Sequence, residues 1–83
     1  MNAVKLTLYA KRQCAPCEAA KFVLDRVCSK TAAEYEVIYI DYKKDLKAKY
    51  SKMIPVIAHN DRIIDSLKIR ESNIRNYIDS ITL

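Results

Sequence analysis

Leu6-Thr7-Leu8-Tyr9-Ala10-Lys11-Arg12-Gln13-Cys14-Ala15-Pro16-Cys17-Glu18-Ala19-Ala20-Lys21 is the stretch whose reading decides the fold. An apolar run ends in a basic loop, a C-x-x-C pair follows, and helix-forming residues take over. Upstream and into this run, Val4, Leu6 and Leu8 alternate with Lys5, Thr7 and Tyr9, the period of a strand. A strand is expected over Val4 to Tyr9, closed by the loop Ala10 to Gln13. Pro16 suits the first turn of a helix, where its missing N–H would have no partner, so a helix should start near Cys14 or Ala15 and run to about Ser29. Two cysteines where a strand hands over to a helix read as a dithiol redox site rather than a structural staple.

Outward from that junction the pattern continues. Cys17, Ala20, Leu24, Val27 and Cys28 fall on one helical face, with Phe22 and Val23 expected to widen it. Lys30 to Glu34 connects to a second strand, Tyr35 to Asp41, nearly continuous in apolar residues as expected of a strand covered on both faces. Strand, helix and strand make a right-handed βαβ unit. Asp41 to Lys52 is polar and predicts a short surface helix from near Asp45. Met53 to Ala58 predicts a third strand and Arg62-Ile63-Ile64 a fourth, joined by His59-Asn60-Asp61. In a chain with no glycine, Asn and Asp are the residues that tolerate the left-handed backbone of a tight hairpin. Leu67, Ile74, Tyr77, Ile78 and Ile81 at helical spacing predict a closing amphipathic helix, with Ser66 or Ser72 as its N-cap.

The 83 residues, 51% hydrophobic and 30% charged, fit a single globular domain over 1–83 with a small core. The N-terminus passes directly into strand pattern without a leader-like segment, and no apolar run is long enough to span a bilayer, so a cytoplasmic protein without membrane association is expected. Three cysteines suit thiols kept reduced and used better than a secreted disulfide framework. The formal charge of +5 is spread from Lys11, Arg12 and Lys21 through Lys43, Lys44, Lys47, Lys49 and Lys52 to Arg75. That spread favours an acidic partner over nucleic acid, which would want a concentrated stripe with interleaved aromatics.

Thiol–disulfide exchange needs a thiolate, an accessible sulfur and a second thiol to resolve the mixed disulfide. Cys14, at a helix N-terminus beside Lys11 and Arg12, is the expected nucleophile, its pKa lowered from the free value of about 8.5. Cys17, at the start of the apolar face, is the expected resolving thiol. A Cys3His zinc set with Cys28 and His59 can be written down. Cys28, however, lies roughly 16 Å along the helix from Cys17, too far for shared ligation, so no metal is expected. Cys28 reads as a small buried hydrophobe, His59 as a turn residue and Tyr9 as a packing residue.

Leu6 to Cys17 resembles the opening of glutaredoxins, with a lysine three residues before a C-x-x-C. Tyr50-Ser51-Lys52-Met53-Ile54-Pro55-Val56-Ile57 resembles the segment that carries the family's cis-proline. The resemblance covers nearly the whole chain and is nearest to small glutaredoxin-like proteins. It implies a thioredoxin-like α/β fold of glutaredoxin type, βαβαββα, with a four-stranded mixed sheet flanked by helices. It also implies a monomeric thiol–disulfide oxidoreductase acting on protein or small-molecule disulfides without a bound cofactor. Ile54 and Pro55 would pair with substrate through a cis bond facing Cys14, and Lys11 would either orient a substrate carboxylate or stand as a solvated charge. Glutathione-dependent members place a Gly-Gly pair after the last strand to hold the tripeptide's γ-glutamyl end. Here Asp65-Ser66 stands there, a side chain that would crowd the ligand and a carboxylate that would repel it. The proline next to the second cysteine follows thioredoxins, so the electron donor is either glutathione or a thioredoxin-reductase-type partner.

Overall fold

Alternation along the first strand sends Leu6, Leu8 and Ala10 to one side, where all three are buried, and Tyr9 to the other, where it is half-buried. That strand, β1 (Lys5–Ala10), is followed by α1 (Ala15–Ser29), β2 (Glu34–Tyr39), α2 (Lys44–Tyr50), β3 (Val56–His59), β4 (Arg62–Ser66) and α3 (Glu71–Ile81). The coordinates are a computed structural model describing residues 4–82. The four strands form one sheet in the order β2-β1-β3-β4. β1 and β2 are parallel, with Leu8 opposite Val37, whereas β3 runs antiparallel to both β1 and β4. This is the thioredoxin-like α/β arrangement.

Each face of the sheet carries its own core. On one face Leu6, Leu8 and Ile57 meet Cys17, Ala20, Leu24 and Val27 of α1 and Ile74 and Ile78 of α3. Burying a side chain of Leu or Ile size contributes about 1.5–3 kcal/mol, so this layer holds α1, and with it the cysteines, against β1. On the other face Ile40, Tyr50 and Val56 are buried with Tyr9, Leu46, Met53 and Ile54 around them, and the Tyr9 and Tyr50 rings stack at 4.4 Å. Arg26 Nε donates to Glu71 Oε1 at 2.7 Å, tying α1 to α3, and that bond holds the Glu71 carboxyl below its ordinary value.

Several boundaries differ from expectation for identifiable reasons. Phe22 is 68% exposed: it sits about 200° around the helix from both Ala20 and Leu24, so only Val23 flanks the buried stripe. β2 is an edge strand with Glu34 and Glu36 exposed, and Asp41 beyond it turns away to accept the Arg12 N–H. β3 begins at Val56 rather than Met53 because Pro55 has no N–H to offer and the Met53 and Pro55 carbonyls are both taken by the Leu67 N–H, at 3.2 and 2.9 Å. β4 accordingly runs on to Ser66, and α3 starts at Glu71, so neither Ser66 nor Ser72 is its N-cap. The N-cap position is Arg70, whose own side chain makes no capping bond. Asp65 supplies it from a distance: its Oδ2 accepts from the Arg70 N–H at 2.9 Å and from Asn73 Nδ2 at 3.2 Å.

Candidate redox site

Cys14 is the N-cap of α1. Its backbone is extended (φ −128°, ψ 105°), its carbonyl accepts the first helical bond from Glu18 N at 3.1 Å, and its Sγ accepts from the Cys17 N–H at 3.3 Å. Ser, Thr, Asp and Asn usually fill this position; here a sulfur does, which fixes it at the positive end of the helix. Gln13, just before, takes φ 53° to turn the chain from β1 into α1. Pro16 in the first helical turn forfeits no hydrogen bond. Cys17 is fully buried on the α1 face that packs on the sheet, and Cys14 is half-buried beside it. The two are joined as a disulfide across a Cα–Cα distance of 5.2 Å.

The loop carrying this pair is pinned from the neighbouring strand. The Arg12 N–H lies 3.2 and 3.4 Å from the two Asp41 carboxylate oxygens, and the Arg12 guanidinium sits 5.5 Å from the centre of the Tyr39 ring. Lys21 Nζ donates to the Tyr39 hydroxyl at 3.4 Å and pairs with Glu18 at 3.5 Å. Asp41 is a residue the sequence reading missed. Its only local signal was an acidic residue closing an apolar strand. Lys11 lies half-buried in the same loop and pairs with no carboxylate among the described residues.

Ile54 and Pro55 stand at the same end of the sheet. The register Tyr9↔Val56 brings Pro55 level with the end of β1, and Ile54 packs against the core cluster that Cys14 also adjoins. The Ile54–Pro55 peptide bond is cis. Neither the N–H nor the C=O of Ile54 bonds another main-chain group among the described residues. The remaining singled-out residues lie elsewhere. Cys28, near the far end of α1, is half-buried against the main core, and burial pushes its thiol pKa up. His59, at the far end of β3, has its Nδ1 2.6 Å from the Tyr77 hydroxyl. Among the described residues no three His, Cys, Asp or Glu side chains converge as a metal site.

The sequence profile of the glutaredoxin-like domain family (DUF836) matches residues 5–79. The chain belongs to that family. The glutaredoxin-like domain resembles the Nitrosomonas europaea protein Ne2328, with 29% identity over 93% of each chain and a TM-score of 0.81. It also resembles the X. campestris protein XcR50, 24% identical over 90% of this chain and 96% of that one at a TM-score of 0.77. A mutant thioredoxin from Halobacterium salinarum shares the fold at 22% identity and TM-score 0.70, over 99% of this chain and 77% of that one. No curated protein matches the sequence significantly. Family, fold and the Cys14–Cys17 disulfide together mark the glutaredoxin-like domain as a redox-thiol protein. No helix among its described residues is long and apolar enough to cross a membrane.

Proposed function

We propose that the domain is a thiol–disulfide oxidoreductase with Cys14 as nucleophile and Cys17 as resolving thiol. The observation that carries this reading is the Cys14 sulfur at the α1 N-terminus, accepting from the Cys17 N–H at 3.3 Å. An N–H and a helix dipole aimed at that sulfur favour its anionic form. In the reduced protein the Cys14 thiolate attacks one sulfur of a substrate disulfide. That S–S bond breaks, and its electron pair leaves on the other substrate sulfur, which takes a proton from water. Cys17 then gives up its proton, attacks the Cys14 sulfur as a thiolate and expels the second substrate thiolate, which takes up a proton in turn. The substrate gains two electrons and two protons, and the protein is left with the Cys14–Cys17 disulfide. Burial of Cys17 leaves Cys14 as the sulfur that a bulky disulfide reaches, and the unpaired Ile54 main chain can pair with an extended substrate strand, with Pro55 shaping that edge. In this reading Lys11, which pairs with no carboxylate among the described residues, meets a substrate carboxylate.

A specific observation bears on the electron donor. Asp65 stands where glutathione-dependent relatives place glycine, and its carboxylate already occupies the start of α3 through Arg70 and Asn73. A ligand carboxylate arriving there would find the Arg70 N–H already bonded and the Asp65 carboxylate beside it, a like charge at short range. This favours recharging by a thioredoxin-reductase-type partner over glutathione. NADPH-coupled assays with each donor separate the two. The catalytic roles are tested by single turnover: pre-reduced Cys14→Ser should consume no disulfide, whereas Cys17→Ser should accumulate a mixed disulfide on Cys14 visible by mass spectrometry. Wild-type consumption by Cys14→Ser would overturn the assignment.

A further inference from the structure

A groove of about 340 Å³ opens beside the cysteines, walled by Pro16, Ala19 and Ala20 of α1 and by Leu67, Lys68 and Ile69 between β4 and α3. Three features of it need an explanation. It is apolar yet open to solvent, and its first wall residue, Pro16, sits between the two cysteines in sequence. Leu67 is 59% exposed and held at φ 68°, a left-handed conformation that a Cβ disfavours and that Leu rarely adopts. Asn60, at φ 58° in the β3–β4 hairpin, is the ordinary residue for such a position; a leucine is not. The Leu67 N–H is fixed by the Met53 and Pro55 carbonyls, so the backbone holds this apolar side chain out at the mouth of the groove, next to the segment that adjoins Cys14.

Charges of both signs lie around the groove, but they differ in their partners. Glu18 is paired with Lys21, and the Asp65 carboxylate, still charged, is held to the start of α3 by the Ser66 and Arg70 N–H groups and the Asn73 amide. Lys68 in the wall and Lys11 in the redox loop pair with no carboxylate among the described residues.

We infer that this groove is the substrate-docking site of the oxidoreductase proposed above, taking a large apolar side chain beside the disulfide of an extended polypeptide that also carries an acidic residue, with Leu67 as the specificity-determining contact. The apolar side chain lies between Ala19 and Leu67, and the acidic one meets Lys68. The strained, exposed leucine supplies a wall of the groove that a glycine, though it would relax the backbone, would leave missing.

The test uses pre-reduced full-length protein and the symmetrical disulfide of a five-residue peptide with aspartate and leucine before its cysteine, against the same peptide with serine at both places. In single turnover the wild type should be oxidised by the first peptide about tenfold faster, the discrimination one apolar side chain provides in a pocket. Leu67→Gly should bring the ratio of the two rates to within about twofold, with no loss of thermal stability because glycine suits φ 68°. Ala19→Lys, at an exposed helical position where Lys is well tolerated, should lower the same ratio from the opposite wall. An unchanged ratio in both variants overturns the proposal. So does a concentration-dependent dimer that Leu67→Gly dissociates, which would assign the groove to a second copy of the chain. Docking is also read without chemistry: the aspartate–leucine peptide with serine replacing cysteine should shift the amide resonances of Ala19, Leu67 and Lys68, and no shift there overturns it. Peptide that binds but never oxidises the protein would overturn the oxidoreductase reading and leave docking standing.

Discussion

Cys14 and Cys28 are thiols on one helix with opposite surroundings. Cys14 caps the N-terminus and receives an N–H, whereas Cys28 is half-buried against the core, where burial and the nearby Asp25 and Glu34 carboxylates disfavour its thiolate. In a Cys14→Ser/Cys17→Ser protein the one remaining thiol should therefore be alkylated by iodoacetamide along a pH curve centred above the ordinary value of about 8.5, and slowly at pH 7. Mass spectrometry across pH 6–10 checks this, and a midpoint below that value would reverse the account. At this scale the placing of Cys14 and Cys17 at a strand–helix junction was legible from residue type and spacing, and the cis Ile54–Pro55 bond from the family resemblance. Asp41 and Leu67 were not, because each acts through a hydrogen bond to a chain segment distant in sequence, Asp41 to Arg12 and Leu67 to Met53 and Pro55. Asp65 was singled out for its charge, and its bonds to the Arg70 N–H and Asn73 Nδ2 add a second task, closing the start of α3, that its charge alone did not reveal.

Elements were predicted well in their middles and less well at their ends. The apolar stripes of α1 and α3 and the alternation of β1 follow from periodicity, which a core facing one side imposes. The ends depend on where individual backbone groups find partners. α3 shows the difference: serines at 66 and 72 carry local capping signals, yet the cap comes from Asp65, five residues before Arg70. Asp65→Ala should cost about 1 kcal/mol, the usual value of a lost N-cap. Asp65→Asn, which keeps an oxygen for the Arg70 N–H, should cost less. Urea denaturation measures both, and equal losses would show that charge rather than the hydrogen bond matters. The segment Ser66–Arg70 should exchange amide hydrogen faster in the alanine variant, because the bond that closes this loop onto α3 is gone.

The molecule as a whole carries a charge pattern that its fold gives direction. The parallel β1–β2 pair brings the ends of both strands, and hence Lys11, Arg12, Lys43 and Lys44, to the end of the sheet where Cys14 lies. Lys47, Lys49 and Lys52 follow on and after α2, against Asp45 as the one acidic residue of that helix. Topology was legible because a strand–helix–strand unit admits one handedness and His59-Asn60-Asp61 could only be a hairpin. The clustering was not legible, because lysines spread along the sequence become neighbours only once β1 and β2 pair. A net charge of +5 weighted to the redox end should steer acidic disulfides toward Cys14. Coulomb attraction of this kind fades as the Debye length falls from about 30 Å at 0.01 M salt to about 8 Å at 0.15 M. The second-order rate constant for oxidation of the reduced protein by an acidic peptide disulfide should then fall roughly three- to tenfold over that range, whereas a neutral peptide of the same length should change little. Lys43→Glu/Lys44→Glu should flatten the dependence for the acidic peptide without altering the neutral one. Stopped-flow measurement at several salt concentrations decides it. Equal salt slopes for the two peptides would mean that the basic rim is solvated surface, and that recognition rests on the groove beside Leu67 alone.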